Sequence, residues 1–561
     1  MASFSARIIS LVTRLNSRDA NAENAGPTAE SLLNALRTRP DDAELHCDLA
    51  IVLQNSRRVE KAEEHYRRAV EIDPRLRRAW YNLGCLLNAE DREAEAVPCF
   101  QQSIALDAAH AASHHNLGQA LFNLGETDAA IEQYRTAIAL GGGGLSETML
   151  AMTIAVSPSA DPQTIMATRT RWGREHLPEP MWNWKQRSDG SMTEVGRERK
   201  RRVGYVSAFF DHLNWMKPVW ALVNRHDRER FELYLYSDGK PRHVPEGYRT
   251  DIRDRWRWTA EMSNVEMARS IADDELDLVV DLNGFSRLPR IAVLALRPAP
   301  VQIAWFNMFA TSGTSALDYL IGDETVVNSD ENADFSERIV RLPGCYLTFE
   351  VTYRVPDVAP SPFQASGRFT FGSLASLYKI SPQVVELWAR ILRKCPESRL
   401  LLRNSGFRSA GNRQWFRDQF ARHGVDSSRL SFQGPTDHFS FLRTYDEIDL
   451  ALDTFPYNGG TTTTEALWQG VPVVATHGDR WTSRVSSSLL SNAGLSDFVA
   501  ADAEGYAKIA IAAANDSAAR DQLAESRLSL RDRLRQSSVC DADGFAKRME
   551  AIYRDIAAGL S

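Results

Sequence analysis

The residues best suited to chemistry gather in one stretch, Asp453-Thr-Phe-Pro-Tyr-Asn-Gly-Gly-Thr-Thr-Thr-Thr-Glu465. The mostly apolar residues 448–452 before it read as a buried strand. Pro456, Asn458, Gly459 and Gly460 then make a turn, and a helix starts around the threonines and stops at Gly470. Two glycines let the backbone approach a ligand closely, and the first turn of a helix offers unpaired N–H groups to an anion. Threonines 461–464 add hydroxyls at the same helix start. This combination suits a pyrophosphate held by dipole and hydroxyls, with no need of a metal. The plainer alternative is a strand–turn–helix corner with a threonine cap, but four consecutive threonines exceed what capping requires.

The elements that must position this stretch alternate between strand and helix from residue 200 onward. Buried strands are expected at 202–207, 231–236, 276–282, 301–305 and 319–322, with Asp211, His212 and Asn283 just beyond strand ends. After a proline-bearing linker, 353–367, strands are expected at 369–374, 399–402, 430–432, 448–452 and 472–475. Helices are expected at 381–393, 412–422 and 437–445, and closing helices at 503–530 and 541–558. Such alternation implies parallel, doubly wound sheets whose ligands sit beyond the carboxyl ends of the strands. Two lobes of this kind with a cleft between them fit a B-type glycosyltransferase fold. No G-x-G-x-x-G follows the first strand, which argues against a dehydrogenase.

A different periodicity precedes the lobes. Leu49, Leu83 and Leu117 are 34 residues apart, as are Ala62, Ala96 and Ala130, and Tyr66, Phe100 and Tyr134. Turns fall near Arg57, Asp91 and Gly125, and Asp73-Pro74 closes the first unit. Gly84 and Gly118 are expected to let paired helices pack closely. The period and the small/aromatic pattern are those of tetratricopeptide repeats, helix pairs that stack into a superhelix and usually bind peptides or proteins. A purely structural role as a shoulder for the next domain is the other reading.

The expected organisation is an N-terminal helix and partial repeat (1–42), repeats (43–142), and capping helices with a linker (143–199), broken from the array by glycines 141–144. A first lobe (200–352), the linker (353–367) and a second lobe with closing helices (368–561) follow. At 561 residues the chain is too long for one core, and its net charge of −7 supplies no basic field for nucleic acid. Six scattered cysteines without a C-x-x-C pair read as buried thiols of a reducing compartment. No apolar run is long enough to span a membrane, so neither membrane nor nucleic acid is an expected partner and the cytoplasm is the expected location. Residues 1–15 read as an amphipathic helix.

With these stretches in hand, the chain resembles the O-linked N-acetylglucosamine transferases and the related Spindly-type transferases. The matching residues are Leu296-Arg-Pro-Ala-Pro-Val-Gln302, Thr311-Ser-Gly313 with Asp318-Tyr319, Leu377-Tyr-Lys-Ile380, Asp453 to Thr462, and Ser483-Arg484-Val485. The resemblance extends over residues 43–558 in the family's order. It implies metal-independent, inverting transfer of a sugar from a nucleotide donor to a Ser or Thr hydroxyl, with no cofactor and with acceptor proteins presented by the repeats.

The resemblance also assigns roles. Lys379 faces the donor diphosphate, where a fixed ammonium stabilises charge on the leaving phosphate. His212 is the first-lobe histidine placed near sugar and acceptor. Gly460, Thr461 and Thr462 hold the pyrophosphate, Glu465 grips the donor ribose, and Ser376 and Asn283 complete the donor contacts. There are departures. Asn307-Met-Phe-Ala310 replaces the family's Gly-Tyr-Pro-Gly beside the sugar, and Phe285-Ser286 replaces a His or Tyr followed by Thr. Ser376 stands where Gln is usual, Trp215-Met-Lys217 lies where a second His often stands, and Thr436-Asp-His438 replaces a lysine-bearing segment near the base. The phosphate half of the site is kept and the sugar half is altered. The default donor is UDP-N-acetylglucosamine. GDP-fucose, as in the Spindly branch, and a non-catalytic scaffold that retains nucleotide binding are the alternatives.

Overall fold

The computed structural model describes residues 27–184 and 200–557; the helix expected at 1–15 lies outside them. The period of 34 becomes helix pairs: Ala43–Asn55 with Val59–Ile72, Arg77–Ala89 with Glu93–Leu106, and Ala111–Asn123 with Thr127–Ala139. A helix at Ala29–Thr38 precedes them. Glycine at 84 and 118 has the expected cause. A Cβ there would lie 2.7 Å from the Phe100 ring and 2.8 Å from the Tyr134 ring. The 34-residue aromatic column thus packs on the small-residue column. After the array, Gly143–Thr153 and Pro162–His176 form helices in the stretch expected to cap it, with Gly141 and Gly142 spent on the turn before them.

Within the array, the His115 Nδ1 lies 2.9 Å from the Ser146 hydroxyl and its ring packs 5.7 Å from that of Tyr134. Burial pushes its pKa down to about 4. The unfolded chain therefore takes up the proton first on acidification. Stability that is full above pH 6.5 is lost as the pH falls toward 4, by up to about 3 kcal/mol. A His115→Gln variant is expected to lose less stability than the wild type between pH 7 and pH 4.5, measured as the shift in urea midpoint.

The first sheet holds β1 (Arg201–Ser207), β2 (Phe231–Ser237), β3 (Arg255–Trp258), β4 (Leu278–Asp281), β5 (Gln302–Ala304), β6 (Tyr319–Asp323) and β7 (Arg338–Leu342). Its order is β3-β2-β1-β4-β5-β6-β7, parallel throughout. Both edge strands, β3 and β7, escape a search for buried apolar runs. Arginines alternate with tryptophans in β3 and flank Ile339-Val340 in β7, as partly solvated edges allow.

The second sheet holds β8 (Thr370–Ser373), β9 (Arg399–Arg403), β10 (Leu430–Gln433), β11 (Leu450–Leu452), β12 (Val473–Thr476) and β13 (Val499–Ala500), in the order β10-β9-β8-β11-β12-β13. In each sheet the strand order reverses once, between β1 and β4 and between β8 and β11. That is where doubly wound folds bind ligands. A helix at Val485–Asn492 and β13 were not expected from the sequence. The closing segment read as one helix is two, Ala503–Asn515 and Ser517–Arg535, because the Asp516 carboxylate caps the second one by accepting from the Ala518 N–H.

The chain divides into two compact units. One comprises the described residues up to Thr153 with Ser373–Asp437, and the other comprises Ile154–Gly372 with the described residues from His438 onward. Among the described residues no helix is long and apolar enough to cross a membrane. Cys47, Cys99, Cys345 and Cys395 are buried, and Cys85 and Cys540 are partly so.

Candidate active site

The stretch 453–465 forms as a strand end, a turn and the helix Thr461–Trp468. Asp453 organises the turn: its Oδ1 accepts the N–H groups of Thr454 at 2.9 Å and Gly459 at 2.7 Å. Asn458, 1% exposed, donates through Nδ2 to the Thr454 carbonyl at 2.7 Å. A Cβ on Gly459 would lie 2.6 Å from the hydroxyls of both Thr462 and Thr463, so this glycine is required by the close return of the helix.

The four threonines divide into pairs. The Thr463 hydroxyl is 2.9 Å from that of Ser486, and the Thr464 hydroxyl donates to the Thr461 carbonyl at 2.8 Å. Both residues are buried. Thr461 and Thr462 are half-buried, and among the described residues no hydrogen bond ties down their hydroxyls. With Gly460 at the cap position, they are the groups at the helix start available to an anion.

Glu465, one turn on, is 2% exposed. Its Oε1 gathers three nitrogens: Asn214 Nδ2 at 3.4 Å, Lys217 Nζ at 3.6 Å and His438 Nε2 at 3.6 Å. The Lys217 side chain is 4% exposed, and its ammonium lies 5.7 Å over the Phe349 ring. Burial lowers the Lys217 pKa, and the Glu465 carboxylate opposes that shift. The His438 ring packs edge-on against Tyr353 at 5.2 Å and stacks with Phe441 at 6.1 Å. Asn214, Lys217 and His438 were not among the expected site residues. Two of the three sit in segments that depart from the family's pattern, and that departure was the available signal.

His212 follows β1 and Asn283 follows β4, the two strands flanking the first switch point. His212 is half-buried, its ring 6.0 Å from both Phe209 and Trp215. Asn283 is 1% exposed. Its Oδ1 accepts the Ala208 N–H at 2.8 Å and its Nδ2 donates to the Val206 carbonyl at 3.4 Å, so its amide ties the ends of β1 and β4 together.

The loop that departs from the family's Gly-Tyr-Pro-Gly is firmly held. Asn307 and Met308 are 4% and 1% exposed. Asn307 Nδ2 donates to the Leu282 carbonyl at 3.1 Å. Buried Arg169 donates to the Thr311 carbonyl at 2.7 Å, and its guanidinium lies 3.7 Å over the Phe285 ring. Phe309 is half-buried, with its ring 5.6 Å from that of Tyr457 in the threonine-bearing turn. Of the loop's larger side chains, Phe309 is thus the one beside the expected donor site.

In the other unit, Ser376 caps the short 3₁₀ turn Leu377–Lys379, and its carbonyl accepts the Lys379 N–H at 3.0 Å. Lys379 is half-buried. This turn follows β8 in the chain as the threonine turn follows β11.

The model of glycosyl transferase family 41 matches residues 184–359 and 364–549, and tetratricopeptide-repeat models match 43–76 and 81–144. The chain is 33% identical over 374 residues to an Arabidopsis thaliana protein named probable UDP-N-acetylglucosamine–peptide N-acetylglucosaminyltransferase SPINDLY, covering 64% of this chain and 40% of that one. A Caenorhabditis elegans UDP-N-acetylglucosamine–peptide N-acetylglucosaminyltransferase is 22% identical over 478 residues, with 64% and 40% covered. The chain thus spans about two fifths of the length of these curated relatives. A solved structure of a mutant Thermobaculum terrenum O-GlcNAc transferase is 30% identical and superposes with a TM-score of 0.75, covering 92% of this chain and 98% of that one.

Proposed function

Because the chain belongs to glycosyl transferase family 41, we propose that it transfers N-acetylglucosamine from UDP-N-acetylglucosamine to Ser or Thr hydroxyls of proteins, with inversion and without a metal. The observation that carries this reading is the helix start at Thr461, with two free threonine hydroxyls and a fixed, buried carboxylate one turn on. Thr461, Thr462 and the N–H groups after Gly460 hold the diphosphate. Glu465, held at Oε1 by Asn214, Lys217 and His438, offers Oε2 to the ribose hydroxyls. Lys379 stabilises the charge that develops on the leaving diphosphate. The acceptor hydroxyl attacks the anomeric carbon from the far side, and its proton passes to a donor phosphate oxygen or to His212. Asn283 acts by fixing the turn after β1, and Ser376 by capping the Lys379 turn. The repeats present the acceptor protein, and the cytoplasm is the proposed location.

His212→Ala is expected to lower kcat by about 100-fold, the lower end of what loss of a positioned general base costs. The donor is tested by thermal shift with UDP, GDP, UDP-N-acetylglucosamine, UDP-glucose and GDP-fucose. A ligand present at 100 times its Kd stabilises the folded state by about 2.7 kcal/mol. A rise in Tm with the uridine ligands supports the reading. A rise with guanosine ligands alone replaces it with fucosyl transfer, to which the Gly-Gly-Thr-Thr-Thr-Thr run also conforms. No rise with any of them overturns transfer, and a rise with nucleotides but no transfer activity leaves the scaffold that retains nucleotide binding.

A further inference from the structure

The three repeats close their first helices in the same way. Arg58, Arg92 and Glu126 donate their N–H groups back to Leu53, Leu87 and Leu121, each at 2.9 Å. The residue just before each donor takes the left-handed conformation: Arg57 with φ 58°, Asp91 with φ 56° and Gly125 with φ 88°. Arginine and aspartate adopt this geometry in the first two turns, so the turn by itself does not require glycine in the third. What differs there is the neighbour. A Cβ on Gly125 would lie 2.2 Å from the carbonyl oxygen of Ile380 and 3.3 Å from that of Leu377. The contact is with backbone, which cannot swing aside as a side chain can.

Beside this contact the rings of Phe122 and Tyr378 stack at 5.4 Å with an interplanar angle of 18°. The turn after β9 also touches this segment: a Cβ on Gly406 would meet Leu377 Cδ1 at 2.5 Å, and Asn404 Nδ2 donates to the Ala375 carbonyl at 3.3 Å. The segment Leu377-Tyr-Lys-Ile380 is therefore held by both the third repeat and the turn after β9. All of these residues belong to one compact unit.

We propose that the third repeat sets the position of Lys379, with Gly125 and Phe122 as positioning residues for the lysine that meets the donor diphosphate. This rests on the role given to Lys379 above. The repeats then contribute to transfer itself, in addition to presenting an acceptor. Substitution of Gly125 pushes on the Ile380 carbonyl, one residue from Lys379, so the loss should appear in diphosphate recognition and spare the rest of the nucleotide.

The experiment is calorimetric binding of UDP and UMP to the full chain. The variants are Gly125→Ala, Phe122→Leu, Lys379→Ala and each of the first two combined with the last. Arg57→Ala places alanine in the equivalent, exposed turn of the first repeat and serves as the control. Lys379→Ala should weaken UDP about tenfold, or about 1.4 kcal/mol, and leave UMP nearly unchanged. Gly125→Ala and Phe122→Leu should weaken UDP by about fivefold and UMP by less than about twofold, with no further loss in the Lys379→Ala background, because coupled residues are not additive. Arg57→Ala should bind both as the wild type does.

Unchanged UDP affinity in Gly125→Ala and Phe122→Leu would overturn the proposal, as would equal losses for UDP and UMP or a full additional loss without Lys379. Phe122→Leu decides the matter if Gly125→Ala does not fold. If Lys379→Ala itself leaves UDP binding intact, it is the role of the lysine that fails, and the proposal falls with it.

Discussion

Lys379→Ala is expected to lower kcat for sugar transfer by about a thousandfold while the far-ultraviolet spectrum and Tm stay close to wild type. A fixed cation at a developing phosphate charge is worth about 3–4 kcal/mol, the range found when a single oxyanion-stabilising donor is removed. The side chain is half-buried at the end of a short turn, and the turn is held through the backbone of 377 and 380 and through Tyr378. Its truncation removes charge while these holds on the turn remain. Measured KM for the donor should rise far less than kcat falls, because the interaction strengthens as the bond to the leaving group breaks. Full activity in this variant would remove Lys379 from the mechanism.

Lys217→Met is expected to have the largest effect on stability, about 3–5 kcal/mol, because it leaves the Glu465 carboxylate buried without its cation. The magnitude does not measure what the pair contributes. Desolvating both ions offsets most of their attraction, and burial does lower the Lys217 pKa despite the carboxylate beside it. A double variant, Lys217→Met with Glu465→Gln, should accordingly recover most of the lost stability, since the uncompensated charge is gone. It should not recover donor affinity, because a neutral amide is a poorer partner for the ribose hydroxyls. Urea midpoints and UDP affinities for the two single variants and the double variant separate these contributions. A single variant as stable as the wild type would mean that Asn214 and His438 suffice to hold the carboxylate.

Much of this arrangement was legible from the chain. The 34-residue period, the small residues opposite Phe100 and Tyr134, and the strand–turn–helix around Gly460 are local patterns, and each forms where it was expected. The strands that were missed lie at sheet edges: arginine interrupts the apolar run in β3 and β7, and β13 is only two residues long. The single helix expected over 503–530 breaks because Asp516 competes with the helical ladder as a cap. The support for Glu465 was not legible for another reason: Asn214 and Lys217 are some 250 residues away in sequence and Asn214 follows no motif. The reason for glycine at 125 also depended on a distant partner. Its turn looks like its two counterparts until Ile380 is placed against it. Asn283, expected to contact the donor, spends its amide on the backbone of β1 and the turn after it.

The central claim is transfer of N-acetylglucosamine to protein hydroxyls, and the most direct test is mass spectrometry of a randomised Ser/Thr peptide library after incubation with the full chain and UDP-N-acetylglucosamine. The account predicts peptides heavier by one N-acetylhexosamine on Ser or Thr, and their absence when Lys379→Ala is used instead. No modified peptide with that donor, or modification by a deoxyhexose from GDP-fucose alone, would contradict it.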